Sequence, residues 1–490
     1  MTENLPLLVT FTVYLVLIMG VGIKAWQHTD NLADYILGGR KLGPVVTALS
    51  VGASDMSGWL LLGLPGAIYL SGVSEAWIGL GLMLGAYLNW SYIARPLRIA
   101  SHAANNSLTL PDYFENRFGD KTRLLRVISA VIILLFFTFY TASGLVGGAI
   151  LFERTFGIDY YLALAVGAII IVSYTFLGGF LAVSWTDAIQ AMLMLAALVI
   201  TPIAVIQELG GVATTIELIS QVDPDKIRWF SGISAIGIIS LFGWGLGYVG
   251  QPHILARFMA AKDPDKLQFA KRIAMSWMFI ALLGTLITGL AGIAFFAAQP
   301  LENPETVFIS LTQVLFNPWV AGIVAAAILS AIMSTIDSQL LVSSSVISED
   351  FYRTFIRPEA SEAELLRVGR IAVFVIALVA IAIATDRDSR VLDLVSYAWA
   401  GFGASFGPVI IFSLFWSPMT TASAIWGMAT GAVTVVVWSG LSGGIFDLYE
   451  IIPGFMLASG VIVLVSSWKP QSDQQVLAEF NQIRELYALK

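Results

Sequence analysis

The chain has 490 residues, of which 57% are hydrophobic and only 12% are charged. A soluble domain carries about 25% charged residues, so this composition excludes an ordinary water-soluble protein and predicts a chain surrounded mainly by lipid. The net charge of −7 gives no reason to expect a nucleic-acid partner. Because the chain has no cysteine, disulfides, thiolate metal sites and a cysteine nucleophile are excluded.

Apolar runs of about 20 residues predict about 13 transmembrane helices, so the predicted fold class is an all-α polytopic membrane protein. The expected spans, with bounds good to several residues, are 5–26, 43–71, 74–94, 124–151, 158–180, 186–207, 230–254, 272–298, 314–347, 366–384, 389–415, 421–440 and 449–467. We expect a single transmembrane domain over 1–469 and a cytoplasmic tail over 470–490, too short for a signalling domain.

The lysine and arginine residues predict the orientation. Of the 26 basic residues, 21 fall on one side of the predicted membrane and 5 on the other. The positive-inside rule then places the N-terminus outside and the C-terminus in the cytoplasm. Arg257 counts as a cytoplasmic loop residue in this scheme. His28, His102 and His253 also fall in or next to predicted cytoplasmic loops, and we expect no zinc or haem centre bound by histidine.

The second predicted span is interrupted between Gly52 and Gly58 by small and polar residues, with Asp55 among them. An ionisable residue at membrane depth costs about 2.5–3.5 kcal/mol, so Asp55 is expected to have a function. Unwound backbone is tolerated there where it lines a cavity, and cation-coupled transporters use the carbonyls of such broken helices to hold ions. The alternative is a kinked structural helix whose second half is capped by Ser54 or Asp55.

A second interruption lies in the seventh span, where Phe242–Pro252 contains four glycines and a proline. Spans two and seven are five apart and therefore run in opposite directions, which is the pattern of a transporter built from two inverted halves. The alternative is two unrelated glycine-rich helices in close contact. Trp244 and Tyr248 in this segment, with Tyr140 of span four, are candidate walls for a compact solute, although a single aromatic side chain is more often a packing residue.

Span nine carries four residues on one helical stripe: Ala331, Ser334, Thr335 and Ser338. Hydroxyls and free carbonyls suit a hard cation such as sodium. The stripe would hold the far side of an ion whose near side is the broken backbone at Ala53 and Met56. The alternative is that these hydroxyls only bond back to carbonyls one turn earlier.

A motif at Gly178–Gln190 precedes and enters span six. Thr186 or Asp187 followed by Gln190 predicts a capping box that opens this span. The functional alternative makes Asp187 a carboxylate on the intracellular ion pathway.

Together, the segments Gly52–Gly58, Gly178–Gln190, Phe242–Ala260 and Met333–Ser344 resemble the sodium:solute symporter family, and the similarity extends over nearly the whole chain. The resemblance implies a LeuT-like 5+5 inverted repeat with halves at about 43–207 and 230–415. It also implies symport of sodium with L-proline across the cytoplasmic (inner) membrane of a prokaryote. Sodium would be the co-transported ion, and no enzyme activity, organic cofactor, nucleic acid or obligate protein partner is expected.

The resemblance also implies functional residues. The sodium ligands would be supplied by Ala53, Met56, Ala331, Ser334 and Thr335. The solute pocket would be formed by Ser57, Gly58, Tyr140, Trp244, Tyr248 and Pro252. Asp55 would raise the sodium affinity, Asp187 would help sodium leave inward, and Arg40 would take part in coupling. Ser334, Asp337 and Ser338 lie at i, i+3 and i+4, and with Asp187 they suggest a transient exit site or a weak second cation site.

Several alternatives stay open at this point. One alternative is a different solute, namely another small carboxylate such as pantothenate. A second alternative is coupling to protons in place of sodium, although the neutral pair Ser334 and Thr335 favours a metal ion. A membrane sensor would need a signalling domain. An intramembrane enzyme would need a nucleophile–base pair or a metal motif within the spans, and the sequence shows neither.

Overall fold

The computed structural model describes residues 5–27, 31–175 and 179–488, so His28 and Gly178 of the sequence analysis lie outside the described residues. Within these ranges the regular elements are helices, and the backbone pairs in sheet fashion only at an isolated bridge between Leu42 and Ala261. The expectation of an all-α protein is confirmed.

The described ranges hold 21 α-helices. They are α1 Leu5–Trp26, α2 Leu32–Leu37, α3 Pro44–Asp55, α4 Leu64–Ser71, α5 Ala76–Leu88, α6 Ala94–Ala103, α7 Leu110–Phe118, α8 Leu124–Phe156, α9 Tyr160–Thr175, α10 Phe180–Glu208, α11 Val212–Val222, α12 Ala235–Gly243, α13 Pro252–Met259, α14 Leu267–Phe295, α15 Val307–Leu315, α16 Pro318–Ser345, α17 Glu362–Ala384, α18 Val391–Phe415, α19 Thr421–Trp438, α20 Ile451–Trp468 and α21 Gln474–Ala488.

Shorter helical segments join some of these. The 3₁₀ segments are Gly38–Arg40, Val73–Glu75, Pro224–Ile227, Trp244–Gly250, Pro264–Lys266, Pro304–Thr306 and Gly444–Asp447. The π-helical segments are Trp59–Gly63, Asn89–Ile93 and Val346–Ile356.

Nine helices in the described part of the chain are long and apolar enough to cross a membrane, some of them together with an adjoining 3₁₀ or π segment: α1, α8, α10, α14, α16, α17, α18, α19 and α20. A tenth span is formed if Pro44–Asp55 and Trp59–Ser71 cross together. This establishes a multi-pass membrane protein, while the number 13 stays a prediction.

Both predicted helix interruptions are confirmed. α3 ends at Asp55, and the chain continues as a helix from Trp59 in a direction that differs by 60°. Between α12 and α13, the residues Trp244–Gly250 wind into a 3₁₀ helix. Glycine lowers helix stability by about 1 kcal/mol per residue, and Pro252 cannot donate a backbone hydrogen bond, so this segment does not continue as one α-helix.

The glycines of the second interruption also permit close packing. A Cβ atom on Gly85 would lie 2.1 Å from the carbonyl oxygen of Gly245, and one on Gly247 would lie 1.9 Å from Nε1 of Trp399. Close helix packing, which the sequence offered as the alternative to a broken helix, is therefore present together with the break.

The predicted capping box at the start of span six is wrong. α10 begins at Phe180, six residues before Thr186, and the Thr186 hydroxyl bonds back to the carbonyl oxygens of Ala182 and Val183. The apolar residues after Gly179 are buried in the bundle and extend the helix toward the N-terminus. Asp187 therefore lies inside α10, where it is fully buried.

The loop position predicted for Arg257 is also wrong, whereas His253 lies within the predicted span 230–254. α13 continues to Met259, and both residues lie inside the bundle with exposures of 1% and 0%. The apolar run ends near Ile254 in the sequence, but the helix continues because Arg257 has buried partners. The positive charge of Arg257 alone therefore does not indicate a loop.

The helix α16 lies at the centre of the bundle. From Val324 to Leu341 it is buried on all sides, and it contacts α1, α3, α8 and α10. In contrast, α1 and α17 each expose one face of large apolar side chains, as lipid-facing helices do. The fold thus places the hydroxyl stripe of α16 against the broken end of α3.

Candidate ion and solute site

The hydroxyls of α16 meet the carbonyls at the end of α3. Ser334 Oγ lies 2.8 Å from the carbonyl oxygen of Ala53. Thr335 Oγ1 lies 3.0 Å from the carbonyl oxygen of Ser54 and 3.5 Å from that of Ala53. Both hydroxyls are also 3.2 Å from the Ala331 carbonyl oxygen, so bonding back to the previous turn and contact with the broken helix coexist.

The break explains why these carbonyls are available. In a continuous helix the amide of Ser57 would donate to Ala53, but it donates to the Asp55 carbonyl at 3.0 Å. The amide of Leu60 donates to Ser57 at 3.1 Å and so bypasses Met56, which lies in the break with φ −85° and ψ 72°. The resulting set contains only oxygen atoms, which a hard cation prefers.

Asp55 connects the two interrupted segments. Its side chain is 3% exposed, and its carboxylate accepts a hydrogen bond from the Tyr248 hydroxyl. Its backbone carbonyl accepts a hydrogen bond of 3.3 Å from Nε1 of Trp59. A change in the backbone at Asp55 is therefore transmitted directly to the 3₁₀ segment that carries Tyr248.

Aromatic side chains surround this junction. The ring centroid of Trp244 lies 6.2 Å from that of Trp59 and 5.3 Å from that of Tyr449, on which it stacks. The Tyr140 hydroxyl faces Ser57 and is buried, yet it makes no well-formed hydrogen bond in the part of the chain that the structure describes. A buried hydroxyl of this kind is suited to a polar group of a bound solute.

Most predicted pocket residues lie together. Ser57, Tyr140, Trp244 and Tyr248 lie around the end of α3, and Gly58 is so close to α16 that a Cβ atom there would lie 3.1 Å from Ile332. Pro252 is one turn further on and lines a different small cavity, together with Ile133, Met259 and Val342. Its predicted contact with the solute therefore depends on another conformation or on a contact through its neighbours.

Beside the junction lies a buried ion pair that the sequence analysis missed. The Arg257 guanidinium contacts the Asp187 carboxylate at 2.7 Å, with exposures of 1% and 0%. It also donates to Ser338 at 2.5 Å and to Ser50 at 2.6 Å, and Ser50 donates to Asp187 at 2.6 Å. The pair thus joins α3, α10, α13 and α16. The signal in the sequence was an arginine flanked by apolar residues from Ile254 to Ala261.

The same contacts bear on the predicted second cation site near Asp337. Two members of that set, Asp187 and Ser338, are hydrogen-bonded to the Arg257 guanidinium. A second cation would have to displace a positive charge that is already in place.

Arg40 adopts a left-handed conformation with φ of 54° and bridges two segments of the bundle. Its guanidinium donates to the carbonyls of Met259 at 2.5 Å and Ser107 at 2.8 Å, and to Asn106 Oδ1 at 2.9 Å. Burial and the nearby Arg98 lower the pKa of Arg40 to about 10. Arg40 therefore ties the start of α3 to the end of α13, which is the helix that holds the buried ion pair.

A bundle of lipid-crossing helices, in which the free carbonyls of a broken helix face the hydroxyls of a central helix, defines a membrane transporter of the ion-coupled class. The chain belongs to the sodium:solute symporter family, whose sequence profile matches residues 35–431.

Similar chains in other bacteria carry more specific names. A sodium/proline symporter of Salmonella typhimurium is 56% identical over 472 residues, which cover 95% of this chain and 94% of that protein. The high-affinity proline transporter PutP of Bacillus subtilis is 50% identical over 468 residues, 95% of this chain and 98% of that one. The chain is a transporter in the cytoplasmic membrane and not an enzyme.

Solved structures share the fold. A substrate-bound, outward-open sodium-coupled sialic acid symporter superposes with a TM-score of 0.80 at 18% identity, covering 96% of this chain and 99% of that one. Mhp1, a nucleobase-cation-symport-1 family transporter, superposes with a TM-score of 0.57 at 14% identity, covering 92% and 98%. These likenesses establish a LeuT-like transporter fold.

Proposed function

We propose that this chain is a secondary active symporter that couples sodium influx to the uptake of L-proline across the cytoplasmic membrane. The observation that carries the proposal is the contact of the Ser334 and Thr335 hydroxyls with the free carbonyls of Ala53 and Ser54. This oxygen cluster suits sodium and contains no group that would carry a proton. The names of the similar proteins in other bacteria support proline as the solute.

Sodium would be held by the backbone carbonyls of Ala53, Met56 and Ala331 and by the hydroxyls of Ser334 and Thr335. In the structure the hydroxyls of Ser334 and Thr335 donate to the carbonyls of Ala53 and Ser54. With the ion, their lone pairs turn toward it, so the ion joins the end of α3 to α16.

This joining would order the solute pocket. Because Asp55 binds Tyr248, fixing the end of α3 also fixes the 3₁₀ segment and its Trp244. Proline would then bind among Ser57, Gly58, Tyr140, Trp244, Tyr248 and Pro252. Each ligand binds better when the other is present, a reciprocal coupling of typically about 1–3 kcal/mol. Asp187 is assigned to the release of sodium toward the cytoplasm, and Arg40 to the coupling between sodium and solute.

For the topology we propose thirteen spans, with the N-terminus outside and the tail 470–490 in the cytoplasm. The unequal distribution of basic residues and the described spans support this arrangement. The inverted repeats would be 43–207 and 230–415, each with its own broken helix. The proposal needs lipid, sodium and proline, and neither an organic cofactor nor a protein partner.

The test is uptake of labelled L-proline into proteoliposomes under a sodium gradient, a proton gradient or neither. We expect accumulation with the sodium gradient, and its loss in Ser334→Ala/Thr335→Ala. The matched control is Thr214→Ala/Ser220→Ala, which removes two exposed hydroxyls that also bond back one turn. Accumulation driven only by protons would contradict the proposed ion, and no proline uptake under any gradient would contradict the solute.

A further inference from the structure

The first helix places one polar side chain deep in the protein. α1 lies at the edge of the bundle, and Val13 and Val16 on its outer face are 60% and 66% exposed. Its inner face consists of Phe11, Tyr14 and Ile18, at i, i+3 and i+7. Tyr14 is the polar member of that face and is only 7% exposed. A hydroxyl buried in an apolar surrounding is costly unless it has hydrogen-bond partners.

The partners of Tyr14 belong to two other helices. Gln190 Nε2 of α10 donates to the Tyr14 hydroxyl at 2.9 Å. On α16, Met333 Sδ lies 3.9 Å from the same oxygen, and the Ser330 side chain lies beside it. Tyr14 is therefore a polar connection from α1 to both α10 and α16.

The contacted face of α16 is next to the face that carries the ion ligands. Ser330, Met333 and Asp337 form one stripe, and the stripe containing Ser334 and Thr335 is roughly a third of a turn away at about 100° per residue. A helix that is held on one face cannot rotate freely about its axis. The contact with Tyr14 thus helps to aim the two hydroxyls at the carbonyls of α3.

We propose that Tyr14 is a positioning residue for the sodium site, acting by fixing the rotation of α16 through its contacts with Gln190, Ser330 and Met333. The proposal rests on the proposed function, because it concerns the same ion site. Loss of the hydroxyl lowers the fraction of protein in which α16 is aimed correctly, and the apparent affinity for sodium falls with that fraction. One buried hydrogen bond corresponds to roughly a 2- to 10-fold change in an equilibrium constant.

The experiment compares wild type, Tyr14→Phe, Phe11→Leu and Ser334→Ala in proteoliposomes. The sodium concentration for half-maximal proline uptake, the KM for proline at saturating sodium and the amount of inserted protein are measured for each. We expect Tyr14→Phe to raise the half-maximal sodium concentration roughly 2- to 10-fold, with the proline KM at saturating sodium unchanged. Phe11→Leu alters the packing of the same face without touching a hydrogen bond, and it should leave the sodium dependence unchanged.

Each outcome decides the question. A sodium dependence of Tyr14→Phe equal to that of wild type, or an equal shift in Phe11→Leu, overturns the role of Tyr14. If wild type needs no sodium, or if Ser334→Ala keeps the wild-type sodium dependence, the proposed function fails instead. If Tyr14→Phe does not insert, Gln190→Met removes the same hydrogen bond from α10, and a wild-type sodium dependence in that variant overturns the proposal.

Discussion

Replacing Asp187 by Asn is expected to destabilise the protein strongly, because it removes one partner of a fully buried ion pair. The Arg257 guanidinium is 1% exposed and would keep its charge beside neutral partners in the described part of the chain, among them Ser50, Ser338 and the His253 carbonyl, with no carboxylate to balance it. The site is enclosed by α3, α10, α13 and α16, and Asp187 itself is 0% exposed.

The magnitude follows from the geometry. Two unit charges about 4 Å apart attract each other by about 4 kcal/mol at an effective dielectric constant of about 20. Removing one partner of such a pair typically costs about 3–5 kcal/mol, because the other charge stays buried without compensation. Neutralising both partners should recover most of this loss. Asp187→Asn/Arg257→Gln should therefore be more stable than Asp187→Asn, which is the signature of coupling in a double-mutant cycle.

The assay is thermal unfolding of purified protein in detergent, with the inserted amount as a second readout. By the trend of Tm with chain size, each kcal/mol corresponds to about 1–2 °C for a chain of this length, so Asp187→Asn should lower Tm by roughly 3–10 °C. The matched control is Asp225→Asn, which breaks an exposed pair with Arg228 (53% and 66% exposed) and should shift Tm little. If the double variant melts no higher than Asp187→Asn, the buried charge is not the cause, and the argument is refuted.

Two further predictions concern backbone packing and pH. Gly247→Ala should weaken proline binding strongly, because its Cβ would lie 1.9 Å from Trp399 Nε1 and would break the 2.7 Å hydrogen bond from Trp399 to the Trp244 carbonyl. The measurement is the equilibrium affinity for proline. The control is Gly460→Ala, because a Cβ atom there meets no atom within 4 Å. Equal proline affinities of the two variants would argue against this packing constraint. Burial and the nearby Arg98 and Arg40 lower the pKa of His102. Just below the ordinary histidine pKa of about 6.5, the unfolded chain then binds more protons than the folded one. The free energy of unfolding therefore decreases as the pH is lowered through that window. His102→Gln should flatten the acid side of a Tm-against-pH curve, and an unchanged curve would contradict this assignment.

Much of this architecture can be predicted from the sequence because the lipid bilayer restricts which segments can cross it. Each lipid-crossing segment must satisfy its own backbone and be apolar on its surface, so composition alone predicts helices and their approximate bounds. The two interruptions were visible for the same reason. Glycine, proline and Asp55 are costly inside a span, and their positions at Gly52–Gly58 and Phe242–Pro252 agree with the observed breaks.

Half of the ion site could also be predicted from the sequence. The stripe of Ala331, Ser334 and Thr335 follows from helical periodicity, and the carbonyls of α3 follow from the break. What periodicity cannot give is which helix the stripe faces, because any of the neighbouring helices would satisfy the pattern. The distance of 2.8 Å between Ser334 and the Ala53 carbonyl is a property of the packed bundle.

The sequence by itself determined the class of protein, the helices and the two breaks, because these depend on local composition and on the membrane. Only the tertiary structure decided the partners of the buried charges and hydroxyls. Arg257 counts as a loop residue until Asp187 is placed beside it, and Tyr14 of α1 has no visible role until Gln190 and Met333 are brought to it. The physical reason is that a polar group in a membrane protein is stable only next to a partner, and that partner is often far away in the chain.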